Sequence, residues 1–387
     1  MKILHTSDWH IGKRLGRHDR MPEFRDVLSE VATIADERDV DLVLVSGDVF
    51  DRPIPPVDAL GLGIETLLRL AERRPVVVVA GNHDSPELFE ALAPLLRPRG
   101  VHLIGAIKRP TEGALIGPDV LGVPAVVAGF PFLREGRVVD FMLEAGRWYR
   151  AYADKVAAIT SSYNEALVEA AGTDAVPILI AHFMVNGVRI DRAAPRGERE
   201  LHMGDAYTAT AQAIPPAPQY VAMGHIHAPQ PVPGAPVPAE YAGSLLSLDF
   251  GEAGEHKRVV LVDVEPGRLA TIESVPLQMG RRLVRVTDDW DGIEARADEL
   301  ADAFLDLTVR TSGTDLTLAE RARDAFPFLV KVRASRPDGA RQERLVKGQR
   351  GWYELYADFY ERERADAAPA ELLTAFREVL EEADASA

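Results

Sequence analysis

Short apolar runs alternate, in the first hundred positions, with segments in which apolar residues recur at helical spacing. Residues 42–45 and 75–80 are continuous in Val, Leu, Pro and Ala, which is typical of strands buried on both faces of a parallel sheet. Residues 2–6 predict a further short strand. Residues 24–38 and 57–73 place apolar side chains three or four positions apart, so they predict amphipathic helices. The alternation of strand and helix predicts an α/β core.

The next part of the chain continues this pattern with more strand than helix. Residues 139–171 predict a long helix, and residues 176–181 predict another buried strand. Shorter strands, separated by turns rich in Gly and Pro, are expected at 220–223, 241–248, 258–264 and 269–275. An α/β start followed by a β-rich continuation favours two sheets packed as a sandwich, with helices outside.

The pattern changes near residue 280, where we expect a domain boundary. Residues 1–280 then form the sandwich, 281–348 a small mixed α/β module, and 349–387 two terminal helices separated by Pro369. The terminal helices carry two apolar stripes, which either pack back onto this chain or bind a partner. The stripes consist of Trp352, Leu355, Tyr356 and Phe359, and of Leu372, Leu373, Phe376, Val379 and Leu380.

Charge and composition narrow the classes of function. The net charge of −16 argues against bulk attraction to nucleic acid. Within 321–350, however, nine Lys and Arg stand against three Asp and Glu, so this stretch either contacts phosphates or forms a solvated charged face. The chain has no Cys, which excludes disulfides and thiolate metal sites. With no secretory leader and no membrane-spanning run, we expect a cytoplasmic protein.

Polar side chains follow five of the predicted strands. A lone buried His is more often a structural residue of the core, and Asp48 alone could equally cap a helix. Five such clusters in order are hard to explain by capping, because converging buried polar groups need partners, and metal ions supply them. The clusters comprise Asp8 with His10, Asp48, Asn82 with His83, His182, and His225 with His227.

The residue types indicate which ions such a site would take. Asp, Asn and His without Cys favour hard or borderline divalent cations. These candidates outnumber the ligands that one ion with open positions needs. The surplus predicts a two-ion site in which Asp48 is the shared carboxylate.

These motifs, in this order, resemble the calcineurin-like metallophosphoesterase superfamily. They are Asp-x-His at residue 8, Gly-Asp-x-x-Asp at 47, Gly-Asn-His-Asp at 81, a strand-final His at 182 and Gly-His-x-His at 224. Longer strings are similar to the SbcD family of bacterial nuclease subunits, and they lie at 3–12, 47–52, 224–230 and 241–252. The resemblance covers residues 1–280 through specific motifs and the remainder through length and layout only.

The resemblance implies a role for each site residue. One ion would be held by Asp8, His10, Asp48 and His227. The other would be held by Asp48, Asn82, His182 and His225. His83 would lie over the scissile phosphate as a catalytic residue.

Further residues are assigned supporting roles. Asp51 is interpreted as the acceptor that fixes His10, because metal-bound imidazoles usually donate their other N–H. Asp84 either orients His83 or caps the helix beginning near Pro86, and the cap is favoured. Candidate DNA contacts are Arg17, Arg20 and Arg52.

The resemblance further implies a Mn²⁺-dependent DNA nuclease working by two-ion hydrolysis. Such an enzyme would be a 3′–5′ exonuclease on duplex DNA and an endonuclease on single strands and hairpins. It would act as a homodimer with the SMC-like ATPase SbcC, which would dock on residues 349–387. Residues 281–348 would be a capping module that binds DNA. The alternative is a metallophosphoesterase acting on nucleotides or other small phosphoesters. A binding scaffold with an inactive site is disfavoured because every expected ligand type is present.

Overall fold

A computed structural model describes residues 1–134, 152–189, 208–311 and 317–335, with Pro369, Leu372 and Thr374. Residues 1–309 and 316–333 form one compact unit, and 310–315 with 334–387 form a second. Apart from those three residues, the predicted terminal helices lie outside the described residues, as does the start of the predicted helix at 139–171. The predicted boundaries at 280 and 348 stay predictions.

Strands outnumber helices among the described residues. The strands are β1 (Lys2–Thr6), β2 (Leu42–Val45), β3 (Val76–Val79), β4 (Val101–Ile104), β5 (Leu115–Ile116), β6 (Ala125–Phe130), β7 (Val176–His182), β8 (Met184–Val185), β9 (Thr208–Ala209), β10 (Tyr220–Gly224), β11 (Gln230–Pro231), β12 (Ala239–Tyr241), β13 (Arg258–Asp263), β14 (Thr271–Pro276), β15 (Leu283–Asp288), β16 (Phe304–Arg310) and β17 (Leu329–Ser335). The helices are α1 (Met21–Glu37), α2 (Val57–Ala71), α3 (Pro86–Leu96), α4 (Pro118–Leu121), α5 (Tyr152–Ala171), α6 (Trp290–Glu294), α7 (Ala297–Leu300) and α8 (Leu318–Ala325).

Two six-stranded sheets form the body of the molecule. The first has the order β14-β13-β1-β2-β3-β4, in which β1 to β4 are parallel and β13 and β14 antiparallel. The second has the order β11-β12-β10-β7-β6-β5, with a parallel centre from β12 to β6 and antiparallel edges. This arrangement confirms the predicted two-sheet sandwich.

Packing on both faces explains why the sequence of β2 is continuously apolar. Leu42 and Leu44 pack into the core between the two sheets. Val43 and Val45 point to the other face and pack against the helices of the first sheet. Because successive side chains of a strand alternate between faces, a strand covered on both sides needs apolar residues throughout. Helix α5 covers the outer face of the second sheet in the same way.

The described part of the predicted capping module has its own three-stranded sheet, in the order β15-β16-β17. Helices α6 to α8 contribute to a separate apolar core that includes Ile293, Leu307 and Phe326. A second small cluster, including Leu15, Phe250 and Phe304, packs this sheet against the sandwich. No helix in the described ranges is both long and apolar enough to cross a membrane.

The stretch after β12 differs from the prediction. The strand expected over 241–248 ends at Tyr241, and the chain continues without regular pairing to a single 3₁₀ turn at Phe250–Glu252. This turn begins at Asp249, whose side chain accepts a hydrogen bond from Gly251 N. The irregular path buries Glu252 instead of placing it beyond the end of a strand.

Candidate metal centre

The candidate ligands converge where the parallel strands of both sheets end. Loops after β1, β2 and β3 bring Asp8, His10, Asp48 and Asn82 from the first sheet. The end of β7 and the loop after β10 bring His182, His225 and His227 from the second. Carboxyl ends of parallel strands are the usual place for ligands in α/β folds. The fold thus brings the predicted ligands together.

Four of these residues have left-handed backbone conformations. The φ angles are 50° at Asp8, 48° at His10, 52° at Asp48 and 97° at His225. Non-glycine residues rarely adopt this region, and such strain clusters at functional sites. Backbone hydrogen bonds hold the loops in place, since Asp8 N donates to Gly47 O and His10 N to Asp48 O, each at 3.0 Å. The backbone itself therefore directs these side chains toward one another.

Two glycines allow the loops to approach this closely. Gly47 has a φ of 95°, and a Cβ there would lie 2.2 Å from His182 Nδ1. A Cβ on Gly81 would lie 2.1 Å from Asp48 Oδ1. Any larger residue at either position would therefore displace a candidate ligand.

The first cluster of ligand atoms comes from Asp8, His10 and His227, which lie within 4.8 Å of one another. His10 Nε2 is 3.2 Å from His227 Nε2 and 3.5 Å from Asp48 Oδ2. The other ring nitrogens face carboxylates, with His227 Nδ1 2.9 Å from Glu252 and His10 Nδ1 3.7 Å from Asp51. When each Nδ1 carries the proton, two Nε2 lone pairs face each other, and a cation between them is the matching partner.

A second cluster of ligand atoms comes from Asp8, Asp48 and His182, which also lie within 4.8 Å of one another. His182 Nε2 is 3.5 Å from Asp48 Oδ2, while His182 Nδ1 donates to Ser46 O at 2.7 Å. Asn82 Oδ1 is 3.0 Å from His182 Nε2 and 2.9 Å from His225 Nδ1. This cluster again collects carboxylate and amide oxygens with imidazole nitrogens, the donor set of hard or borderline divalent ions. The residues present therefore fit a binuclear site.

Asp48 has the surroundings of a shared carboxylate. Its Oδ2 lies 3.5 Å from one imidazole of each cluster, His10 and His182. Burial alone would raise the pKa of Asp48, but the neighbouring His182 and His10 hold this pKa well below its usual range. The carboxylate is therefore ionised and centrally placed between the two clusters.

His83 lies at the edge of the same site. Its backbone N donates to Asp48 Oδ1 at 2.8 Å, and its Nδ1 lies 2.9 Å from Asp51 O. The His83 ring packs edge-on against His10 with centroids 4.6 Å apart. A bond from Nδ1–H to the Asp51 carbonyl directs Nε2 away from that loop. One ring nitrogen also lies within 4.8 Å of ligand atoms of His10 and Asp48.

Asp84 does not cap the following helix, so the favoured interpretation of this residue was wrong. Its carboxylate accepts hydrogen bonds from the backbone N–H groups of Val49, Phe50 and Gly81. The cap of α3 is Ser85, whose Oγ accepts from Leu88 N at 3.2 Å. Burial and the nearby charge of Asp48 raise the pKa of Asp84 to about 6. Asp84 thus ties the loop of Asp48 to the loop of Asn82 and His83.

Sequence reasoning missed two residues that follow β6. Phe132 N donates to Ala80 O at 2.9 Å, and the Phe132 ring stacks on His225 with centroids 5.7 Å apart. Arg134 donates to the carbonyls of Asn82 and Asp84, at 3.1 and 2.6 Å. These contacts support the loop that carries Asn82 and His83. No motif marks either residue, because their role depends on contacts between segments far apart in sequence.

Glu252 was also missed, although it ends a string that carried the family resemblance. Its side chain is 7 % exposed and contacts both His227 and Lys257. Burial alone would raise the pKa of Glu252, but the Lys257 ammonium and the His227 ring hold this pKa well below its usual range. A buried, ionised carboxylate therefore lies directly behind one candidate ligand.

The three arginines proposed to contact DNA differ in exposure. Arg20 is fully buried and donates to Glu23 and to Ser247 O, so it is inaccessible to DNA, and the prediction for this residue was wrong. Arg17 is exposed, and the Arg52 side chain is 72 % exposed beside Asp51. Both remain candidates.

Comparison with known proteins is consistent with this fold and site. Residues 1–229 match the family model of calcineurin-like phosphoesterases. The chain is 34 % identical to the SbcD subunit of the nuclease SbcCD from Bacillus subtilis, covering 96 % of this chain and 95 % of that protein. It is 31 % identical to the SbcD subunit of Rhodobacter capsulatus (88 % and 89 % covered) and 30 % identical to that of Escherichia coli K12 (80 % and 78 %).

The fold and the site thus define a phosphoester hydrolase with a binuclear metal centre. The chain belongs to the calcineurin-like phosphoesterases and, within them, to the family of SbcD subunits of SbcCD nucleases.

Proposed function

We propose that this chain is the nuclease subunit of an SbcCD-type complex and that Mn²⁺ is its ion. In this proposal it is a 3′–5′ exonuclease on duplex DNA and an endonuclease on single strands and hairpins, in the processing of breaks and hairpins. The observation that carries the proposal is the pair of ligand clusters joined by Asp48. Similarity to nuclease subunits over nearly the whole chain supports DNA as the substrate. The alternative, hydrolysis of small phosphoesters only, is not favoured.

Phosphodiester hydrolysis requires residues that bind the metal ions and a residue that acts on the phosphate. Asp8, His10, Asp48 and His227 would hold one ion, and Asp48, Asn82, His182 and His225 would hold the other. When bound, two divalent ions supply the Lewis-acid chemistry that this hydrolysis needs. His83 is the catalytic residue of the chain. Its Nδ1–H donates to Asp51 O, so Nε2 faces away from that loop. From the doubly protonated ring, Nε2–H would stabilise charge on the phosphate or pass its proton to the leaving oxygen.

A basic surface cavity supports a path for the DNA backbone. The cavity has a volume of about 380 Å³, and its lining includes Arg17, Arg323, Lys331 and Arg333. Arg333 also pairs with Asp306 at 2.8 Å. Lysine and arginine side chains at such a surface neutralise phosphates and make binding dependent on salt. We therefore assign DNA binding to the capping module together with Arg17 and Arg52.

The ATPase SbcC and a second copy of this chain are the proposed partners. The two apolar stripes of residues 349–387 are the proposed docking surface for SbcC, and apart from Leu372 their residues lie outside the described part of the chain. Leu62 and Leu67 of helix α2 pack into the core of their own chain and Leu68 is partly buried against it, so these leucines offer little surface to a second copy, whereas Val57 at the start of the helix is 87 % exposed. The homodimer is therefore proposed from family resemblance alone.

Replacement of the shared carboxylate tests this function. The measurement is Mn²⁺-dependent degradation of end-labelled duplex and hairpin DNA, alongside a small phosphodiester and a phosphomonoester. We expect Asp48→Ala to reduce all cleavage at least about a hundredfold, because both ions lose a ligand. The control is Asp26→Ala, which removes an exposed carboxylate on α1. DNA cleavage retained by Asp48→Ala would refute the assignment. Turnover of small esters without DNA cleavage by the unaltered chain would favour the alternative.

A further inference from the structure

We infer that Glu252 is a positioning residue that fixes the tautomer and direction of His227 and thereby sets the affinity of one of the two ions. The inference rests on the proposed function, because it concerns a ligand of the proposed metal centre. Glu252 lies in the 3₁₀ turn at Phe250–Glu252, 25 residues from His227 in sequence. It does not itself belong to either ligand cluster.

The two carboxylate oxygens of Glu252 have different partners. Oε2 accepts from Lys257 Nζ at 2.6 Å, from Leu248 N at 3.1 Å and from Ser244 Oγ at 3.2 Å. Oε1 lies 2.9 Å from His227 Nδ1. One oxygen therefore anchors the carboxylate to its surroundings, and the other is directed at the imidazole.

This contact determines which nitrogen of His227 can bind a cation. A carboxylate acceptor at Nδ1 requires the proton to be on Nδ1, so Nε2 carries the lone pair. Nε2 is the atom that lies 3.2 Å from His10 Nε2 in the first cluster. A carboxylate behind an imidazole also raises its basicity as a ligand. Glu252 thus presents His227 in the form that binds metal.

Lys257 makes a buried carboxylate tolerable at this position. An unpaired buried charge destabilises the folded state, and both Glu252 and Lys257 have side chains only 7 % exposed. Lys257 Nζ also donates to His227 O at 3.2 Å and to Glu255 at 2.8 Å. The Lys257 ammonium therefore contacts both the Glu252 carboxylate and the backbone carbonyl of His227. These two contacts hold Glu252 and His227 in fixed positions relative to each other.

The second cluster is supported differently. His182 Nδ1 donates to a neutral acceptor, the carbonyl of Ser46. The acceptor at Nδ1 is therefore a charged carboxylate for His227 in the first cluster and a neutral carbonyl for His182 in the second. Removal of the Glu252 charge should weaken the ion at His10 and His227 and leave the ion at His182 largely unchanged.

The experiment compares Glu252→Gln with Glu255→Gln in the full chain. Glu255 also contacts Lys257 Nζ, at 2.8 Å, so the control shares the lysine but leaves the bond between Glu252 and His227 Nδ1 in place. Mn²⁺ binding is followed by calorimetry and by electron paramagnetic resonance, which distinguishes a coupled ion pair from a single ion. For Glu252→Gln we expect one ion to bind about 10- to 100-fold more weakly, with loss of the coupled signal at stoichiometric Mn²⁺. Glu255→Gln should bind both ions as the unaltered chain does.

A second measurement reads the tautomer without any metal. In ¹⁵N spectra of the metal-free protein, His227 should carry its proton on Nδ1, and Glu252→Gln should shift that proton toward Nε2. If the Gln variant does not fold, Glu252→Asp is used instead, because its shorter side chain keeps the charge near Lys257 but withdraws it from His227. We then expect the same selective loss of affinity for the ion at His10 and His227.

The outcomes separate the inference from the proposed function. Unchanged affinity for both ions in a folded Glu252 variant, or weakening of both ions equally, would overturn the inference and leave the metal centre standing. Failure of the unaltered chain to bind two ions would instead refute the proposed function.

Discussion

At the scale of single residues, several charged side chains are buried, and Arg20 is the clearest example outside the metal centre. Its guanidinium donates to both Glu23 oxygens, at 2.9 and 3.3 Å. It also lies 5.3 Å from the centre of the Phe304 ring, in the sheet of the predicted capping module. Glu23 in turn accepts from the backbone N of Arg281 at 2.8 Å. Arg20 therefore helps to join the sandwich to this sheet.

We expect Arg20→Ala to lower the free energy of unfolding by about 3–5 kcal/mol, because the buried Glu23 carboxylate loses its ion-pair partner and keeps only the backbone N–H of Arg281. The matched control is Arg25→Ala. Arg25 lies in the first turns of α1, its side chain is 61 % exposed, and it is 3.9 Å from Glu65. Its loss should therefore change the free energy of unfolding by less than about 0.5 kcal/mol. Denaturant titration measures both. Unchanged stability in Arg20→Ala with weaker DNA binding would restore Arg20 as a DNA contact.

At the scale of elements, the glycine that follows β2 and the glycine within α2 differ in whether a larger side chain can replace them. Gly47 follows β2 in a left-handed conformation, with the ring of His182 where a Cβ would stand. Gly61 lies within α2, and a Cβ there would meet nothing within 4 Å. The same substitution should therefore have opposite effects at these two positions.

We expect Gly61→Ala to raise the free energy of unfolding by up to about 1 kcal/mol, because Ala loses less backbone entropy in a helix than Gly does. Gly47→Ala should lower stability by more than about 2 kcal/mol through strain and overlap with His182. It should also weaken Mn²⁺ binding, since His182 must move. Thermal unfolding and Mn²⁺ titration of both variants provide the measurement. Normal Mn²⁺ affinity in Gly47→Ala would contradict the requirement for glycine.

Elements could be predicted from the sequence where burial is complete. The apolar run of β2 defines its own bounds, because both faces of the strand are covered. The candidate ligands were recognisable because each lies at the end of a strand or within four residues after it. Glu252, Arg134 and the buried state of Arg20 could not be predicted, since each depends on contacts between distant segments. Asp84 was misinterpreted because a sequence shows an acid before a helix but not the backbone N–H groups that surround it.

At the scale of the whole molecule, charge is distributed unevenly. The net charge is −16, yet Arg17, Arg323, Lys331 and Arg333 line one cavity. An acidic body repels DNA at long range, whereas a local basic surface binds the backbone at short range. This distribution favours DNA binding at the local basic surface over indiscriminate binding along the molecule.

If residues 349–387 dock SbcC, their loss should uncouple the nuclease from ATP without harming its chemistry. We expect deletion of 351–387 to leave Mn²⁺-dependent hydrolysis of a small phosphodiester within about twofold, because the proposed ligands all precede residue 230. ATP-stimulated DNA cleavage in the presence of SbcC should disappear. A full-length chain carrying Leu355→Glu and Phe359→Glu should behave alike, since charge on an apolar docking surface is costly to bury. Glu361→Lys serves as control, because at helical spacing residue 361 falls on the face opposite the stripe. Equal ATP stimulation in all variants would place the docking surface elsewhere, whereas loss of small-ester hydrolysis would show that the terminal residues support the fold of the metal centre.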